Sequence, residues 1–363
     1  MPQLIFQNSV QILRAQICVA AALILCASSA LVCSSRPAAR TATPLADARQ
    51  LDSAGRTGEA IQILEQSLAA GNDARALATH RYLGYLLLNE GRWRAAAQHS
   101  EAALRLAPGD VPAQVNLGYA LARLGSRSRA YFHYQQALAV DPQNGRALLF
   151  SGQLLEQMGR IEDAERRLRA AARTTPANPE AQYELAAHLI RHRLVSDSST
   201  PGSAGKHNAI AYRDIVRLLR AVLAQNAEFT PALQLLAYAH VQVGSYPDAV
   251  RVGERALAAV AGPHPVDAVS AAAIEFNLGL AYLKREQYPE ARRRFETIIA
   301  RYSETARAHC LLGDAFAGTG DWEQALPAYN ECQRLRPGTA TVRLRQACTA
   351  GVREACKLIP EKE

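Results

Sequence analysis

Aromatic residues make up only 6% of the sequence, and the β-branched residues that fill strands are also thin. Ala and Leu instead supply most of its 49% hydrophobic share. This balance excludes a β-sandwich or barrel and predicts an all-α chain. Gly at 22 and Pro at 17 of 363 residues are ordinary usage, so collagen-like and low-complexity readings fall away. No dense basic run exists: the net charge of +8 comes mainly from Arg scattered among Glu and Asp. That is the pattern of a solvated helical surface, and nucleic acid is not an expected partner. There is no GxSxG elbow, no phosphate-binding loop and no CxxC pair, so the usual hydrolase, nucleotide, zinc-ribbon and thioredoxin-like chemistries have no carrier. No catalytic residue, cofactor or small-molecule substrate is expected.

Cysteine is absent from the long middle of the chain. Cys18, Cys26 and Cys33 fall in an apolar N-terminal run, and Cys310, Cys332, Cys348 and Cys356 crowd the end. The run itself, Ile17 to Val32, is broken only by Ser28 and Ser29, with Arg14 as the only charge before it. Its core from Ile17 to Leu25 and the small residues Ser28, Ser29 and Ala30 suit a cleaved secretory signal. The run is shorter than the roughly 20 residues that span a bilayer. Arg36 and Arg40 beyond it complicate both export and anchor orientation, and residues 1–40 are read as either a signal peptide or a retained membrane anchor. Neither Cys26 after Leu25 nor Cys33 after Val32 fits a lipidation signal. The chain is therefore expected to be exported, periplasmic or secreted, or else membrane-anchored, with membrane contact through this segment.

A period of about 34 residues organises the rest. Gly84, Gly118 and Gly152 share it, as do Gly91, Gly125 and Gly159, then Ala96, Ala130 and Ala164, then Pro108, Pro142 and Pro176. Each unit reads as a helix, a turn at its second Gly, a second helix and a Pro-marked exit. Small residues at the first Gly and at Ala let two helices approach closely, and the second Gly supplies a left-handed C-cap. The segments from Leu83 to Pro108, Leu117 to Pro142 and Leu312 to Pro337 make this pattern resemble the tetratricopeptide repeat. Weaker copies begin at Thr41, Gly145, Thr230 and Ala272, and one at Pro179 is interrupted by a Ser-, Gly- and Pro-rich insertion.

The resemblance implies an all-α, right-handed solenoid of about eight helix-turn-helix units with a C-terminal capping helix pair. Units 1–4 would occupy residues 41–178. Unit 5, at 179–229, would carry an inserted loop at about 192–208, and units 6–8 would follow at 230–339 before a cap and tail at 340–363. A non-catalytic interaction scaffold is implied, binding a partner protein or peptide in a groove lined by the first helices. The alternatives are a regulatory subunit or co-chaperone of an envelope enzyme complex, and a carbohydrate-binding relative. A glycosyltransferase of superhelical type would need a further catalytic domain, for which the short stretch after Thr339 leaves no room.

In the repeat frame the inner face carries Arg81, Tyr82, Tyr85, Asn89, Asn116, Tyr119, Arg123, Arg146, Phe150, Gln153, Gln157 and Tyr183. These types grip peptide backbone and carboxylates. Some relatives clamp a terminal carboxylate with basic and Asn side chains from three consecutive repeats. Arg81, Asn116 and Arg146 match three of those five places, whereas Tyr85 and Phe150 replace the others. His188 and His192 are four apart, the spacing of two ligands on one helix face, yet no Glu follows the first as a zincin requires; a packed His and a surface one are expected, with no metal. The tail from Ala347 to Leu358 resembles a cysteine-rich Sel1-like repeat. That resemblance pairs Cys348 with Cys356, which demands a break at Gly351 and an oxidising compartment, because in one continuous helix the two lie about 12 Å apart. Cys310 and Cys332 are expected as buried single thiols.

Overall fold

The computed structural model describes residues 43–71, 75–174, 178–196, 204–260 and 268–359. Residues 1–40, expected to be a signal peptide or membrane anchor, lie outside them. The fold is an all-α helical repeat, with 18 helices and no strand among the described residues. Their contacts define two compact units, 43–188 and 189–359.

The first unit holds α1 (Pro44–Ser53), α2 (Thr57–Ala69), α3 (Ala76–Asn89), α4 (Trp93–Leu106), α5 (Val111–Arg123), α6 (Arg127–Val140), α7 (Gly145–Gln157) and α8 (Ile161–Ala172), and then the start of α9 (Pro179–Ser196). Short turns join α3 to α4, α5 to α6 and α7 to α8, so each second helix folds back on the first. In each turn a glycine takes a left-handed φ: 72° at Gly91, 83° at Gly125 and 76° at Gly159. The amide of Gly125 donates to the Ala122 carbonyl and that of Ser126 to the Leu121 carbonyl, which closes the helix end. The other end of each pair also has a repeated device. Asp110, Asn144 and Asn178 recur in the same register, and each caps the helix that follows it. Their side chains accept from the amides of Ala113, Ala147 and Ala181 at 2.9, 3.1 and 3.3 Å.

Packing explains the small residues. Ala96, Ala130 and Ala164 are fully buried. A β-carbon on Gly118 would stand 2.7 Å from the Tyr134 ring and 3.2 Å from the Ala130 carbonyl. Side-chain volume there would force α5 and α6 apart.

The second unit continues with α10 (Ala204–Gln225), α11 (Thr230–Val243), α12 (Tyr246–Val260), α13 (Ala268–Lys284), α14 (Tyr288–Arg301), α15 (Ala306–Gly318), α16 (Trp322–Leu335), α17 (Thr341–Thr349) and α18 (Arg353–Lys357). The inserted segment differs from the expected loop. Helix α9 extends to Ser196 and α10 begins at Ala204, so much of residues 192–208 is drawn into two unusually long helices, and 197–203 lie outside the described residues.

The last two helices cover the apolar end of this unit. Leu344 and Ala347 of α17 and Ala355 of α18 are fully buried in one cluster with Tyr329, Cys310 and Cys332. Arg343 fastens this cap by donating from Nε and Nη2 to the two Asp314 oxygens at 2.6 and 2.8 Å, while the Tyr329 hydroxyl donates to Oδ1 of the same carboxylate. Gly351 turns α17 into α18 with φ 93°, and a disulfide joins Cys348 to Cys356 across that turn, with Cα atoms 4.9 Å apart. Cys310 and Cys332 correct the expectation of single thiols: they form a second disulfide. They face each other from the two helices of one pair, α15 and α16, with Cα atoms 5.2 Å apart, inside bridging range.

Candidate functional site

The first unit gathers six of the twelve expected inner-face residues into one aromatic and cationic surface. Tyr82 and Tyr85, one turn apart on α3, stack with ring centroids 6.1 Å apart. Arg146 of α7 lies over the rings of Tyr85 and Phe150, at 5.7 and 5.6 Å from their centroids. Tyr119 of α5 meets Phe150 at 4.8 Å and the edge of Trp93 at 6.0 Å. Arg123 then covers Trp93 at 4.7 Å. Both arginines are exposed while their rings form the floor, so the negative ring faces fix each cation at the solvent boundary, where a ligand can meet it.

Some expected residues are committed to the scaffold instead. Asn116 is 3% exposed and donates its side-chain amide to the main-chain oxygen of Arg81, joining α5 to α3. This corrects its reading as a ligand-gripping residue: its donor points into the helix interface. Phe150 is also buried and acts through the ring it offers Arg146 and Tyr119. Arg81 pairs with Asp110 at 3.2 Å, the carboxylate that caps α5, so two of the three carboxylate-clamp matches serve repeat-to-repeat contacts. The Tyr82 hydroxyl donates to Asp52 at 2.8 Å. Burial first, and then that bond, raise its pKa. Of the remaining expected residues, Asn89, Gln153 and Tyr183 are half-buried and Gln157 is exposed.

Two residues that complete this surface escape the inner-face pattern. Trp93 stands at the start of a second helix, and Arg49 covers Tyr82 from α1 at 5.6 Å. A separate cavity of about 320 Å³ opens among Tyr131, Leu148, Leu155, Arg160 and Arg166. Arg160 and Arg166 both pair with Asp163 in its wall, and Arg167 lines it as well.

Two family models, both described as tetratricopeptide repeat, match residues 125–189 and 276–340. The chain carries tetratricopeptide repeats. Its repeats are those of a protein-interaction scaffold, a class that is in general non-catalytic. No curated protein shows significant similarity to it. Among solved structures, the human IFIT1 dimer with m7Gppp-AAAA aligns at 15% identity and TM-score 0.50, over 81% of this chain and 72% of that one. A tetratricopeptide repeat protein from Parabacteroides merdae ATCC 43184 aligns at 16% identity and TM-score 0.43, over 78% and 99%. A chain of the APC/C hetero-tetramer Cut9-Hcn1 aligns at 16% identity and TM-score 0.47, over 86% of this chain but only 55% of its own length. At such identities the likeness is one of fold alone.

One more cluster stands apart from the aromatic surface. His188 on α9 is fully buried, His192 follows it by one turn, and Glu156 of α7 brings Oε1 to 3.3 Å from Nδ1 of His188. Spacing within one helix shows the two histidines; the carboxylate, far earlier in the chain, joins them only through the repeat contact. Elsewhere in the first unit His80 and His99 face each other through their Nδ1 atoms at 3.0 Å. Burial first, then His80 and Arg92, push the His99 pKa down to about 4.

Proposed function

We propose that the surface of Tyr82, Tyr85, Trp93, Tyr119, Arg123 and Arg146 is the partner-binding groove of an exported or membrane-anchored adaptor, and that it takes an extended peptide segment carrying acidic and apolar side chains. The observation that carries this reading is the pair of exposed arginines seated on ring faces, Arg123 on Trp93 and Arg146 on Tyr85 and Phe150. Ring faces fix the cations at the solvent boundary, which pre-arranges charge-assisted donors for a partner's carboxylates, and the partly exposed Tyr rings offer low-entropy apolar contact beside them. In the second unit comparable cations are built into the fold: Arg294 pairs with Glu254 and Glu275, and Arg343 with Asp314. Two disulfides near the C-terminus support an oxidising compartment, in keeping with the apolar N-terminal run. No helix among the described residues is long and apolar enough to cross a membrane.

The test is a charge reversal of both cations, Arg123→Glu with Arg146→Glu, followed by partner capture from native membranes. Losing two charge-assisted contacts should weaken capture by roughly 10–100-fold. Capture at the level of the unaltered protein would dispose of the proposal.

A further inference from the structure

We infer that the cavity among α6, α7 and α8 is a binding site for a small organic acid, a single carboxylate joined to an apolar body. It shares no residue with the proposed groove. Buried Leu148 and Leu155 of α7 line it with Tyr131 of α6, and Arg160, Arg166 and Arg167 face a single carboxylate, Asp163. The residue that points to a ligand is Arg167. It is half-buried, and among the described residues it makes no hydrogen bond, ion pair or ring contact. A guanidinium drawn partly out of water loses hydration, and here nothing in the fold replaces it. The repeat register shows what is missing. His99 and His133 hold the same position in the two preceding repeats, and each meets the residue 19 places earlier: His99 Nδ1 lies 3.0 Å from His80 Nδ1, and His133 Nδ1 lies 2.7 Å from Gln114 Oε1. In the second unit Arg294 stands in that register relative to Gly279, as Arg167 does to Gly152, and donates to Glu275 at 3.2 Å, again 19 places earlier. At the corresponding place before Arg167 the chain has Leu148, which cannot accept. The acceptor for Arg167 therefore comes from outside these helices.

The surroundings select the ligand's chemistry. Arg160 donates Nε to Asp163 at 2.8 Å and lies over the Tyr131 ring at 5.6 Å, and Arg166 pairs with the same carboxylate. Of the three arginines only Arg167 offers an uncommitted fork, and one planar fork matches one carboxylate in bidentate geometry. The fixed charge of Asp163 counts against a dianion such as phosphate. Leu148 and Leu155 reward an apolar body, which inorganic phosphate lacks. A volume of about 320 Å³ falls at the small end of the roughly 300–1,000 Å³ range of ligand pockets, which suits a small acid.

The experiment is saturation-transfer NMR on the full-length, disulfide-intact chain with 3-phenylpropionate and octanoate, whose apolar bodies are aromatic and aliphatic. Saturable binding of at least one acid is expected. The matching amides, 3-phenylpropanamide and octanamide, keep the body and lose the charge, and should not bind. Inorganic phosphate at equal concentration should not displace the acid. Arg167→Gln should weaken acid binding by at least about 10-fold, and Arg167→Lys, which keeps the charge without the fork, should fall between it and the parent. Leu148→Glu supplies the internal partner that Glu275 gives Arg294 and should abolish binding. Far-UV circular dichroism checks that the variants keep the helical content of the parent, and Arg167→Gln, at a half-buried position, carries the test if Leu148→Glu does not fold. Failure of both acids to bind the unaltered chain, an amide binding as tightly as its acid, displacement by equal phosphate, or unchanged binding in folded Arg167→Gln or Leu148→Glu would each overturn the site.

Discussion

Glu286 occupies a place where the other well-formed repeats have glycine. Its φ is 61°, the only positive value at a non-glycine among the described residues. The backbone there makes the same closing bonds as at Gly125: the Glu286 amide donates to Leu283 and the Gln287 amide to Tyr282. The left-handed conformation costs an ordinary residue about 1–2 kcal/mol. Glycine avoids that cost but loses about 0.5–1 kcal/mol more chain entropy on folding. Glu286 is exposed between the C-terminus of α13 and the N-terminus of α14, so its interactions with the negative and positive helix ends offset each other. Glu286→Gly should therefore stabilise this helix pair by about 0.5–1 kcal/mol, and the reciprocal Gly125→Glu should destabilise its own pair by a similar amount. In a repeat array such changes act locally before they spread. Native-state hydrogen exchange is thus the better assay than a single melting temperature. Amides of α13 and α14 should gain about two- to fivefold protection in Glu286→Gly. No change there, together with a neutral Gly125→Glu, would refute the strain argument.

Non-reducing peptide mapping should recover Cys310 linked to Cys332 and Cys348 linked to Cys356, and free thiols at these four positions would contradict both bridges. Reducing the Cys310–Cys332 bridge should cost the C-terminal end about 3 kcal/mol by the loop-entropy relation, read as a lower urea midpoint in dithiothreitol. Acid should also weaken the fold. Burial lowers the pKa values of His99, His133 and His240, so each resists protonation when folded and accepts a proton when unfolded. For His99 that contribution is whole above the ordinary His value near 6.5 and is lost as pH falls toward about 4. Urea midpoints between about pH 7.5 and 4.5 should fall less steeply in His99→Gln than in the parent, and identical slopes would count against the assignment.

The repeat was legible because its physics is local and periodic. Gly91, Gly125 and Gly159 mark turns that only a residue at ease with positive φ fills freely, and Ala96, Ala130 and Ala164 mark contacts too close for anything larger. Even the caps repeat, as Asp110, Asn144 and Asn178 show. What the sequence hid depends on facing positions in neighbouring helices. The Cys310–Cys332 bridge needs the angular register of α15 against α16, and Glu156 meets His188 only once two repeats stack. Trp93 joins the groove from a second helix, although the repeat frame assigns the inner face to first helices. Asn116 has the right chemistry and the right position in the frame, but the neighbouring backbone claims its amide. The insertion misled for another reason: its Ser, Gly and Pro content reads as loop, while its flanks continue the helices α9 and α10.

Cross-linking mass spectrometry in native membranes tests the central claim most directly. The reading requires a partner's acidic segment to cross-link to positions around Tyr82, Trp93, Arg123 and Arg146, and requires those links to vanish in the doubly charge-reversed protein. Links confined to the second unit, or links that persist after the reversal, would contradict it.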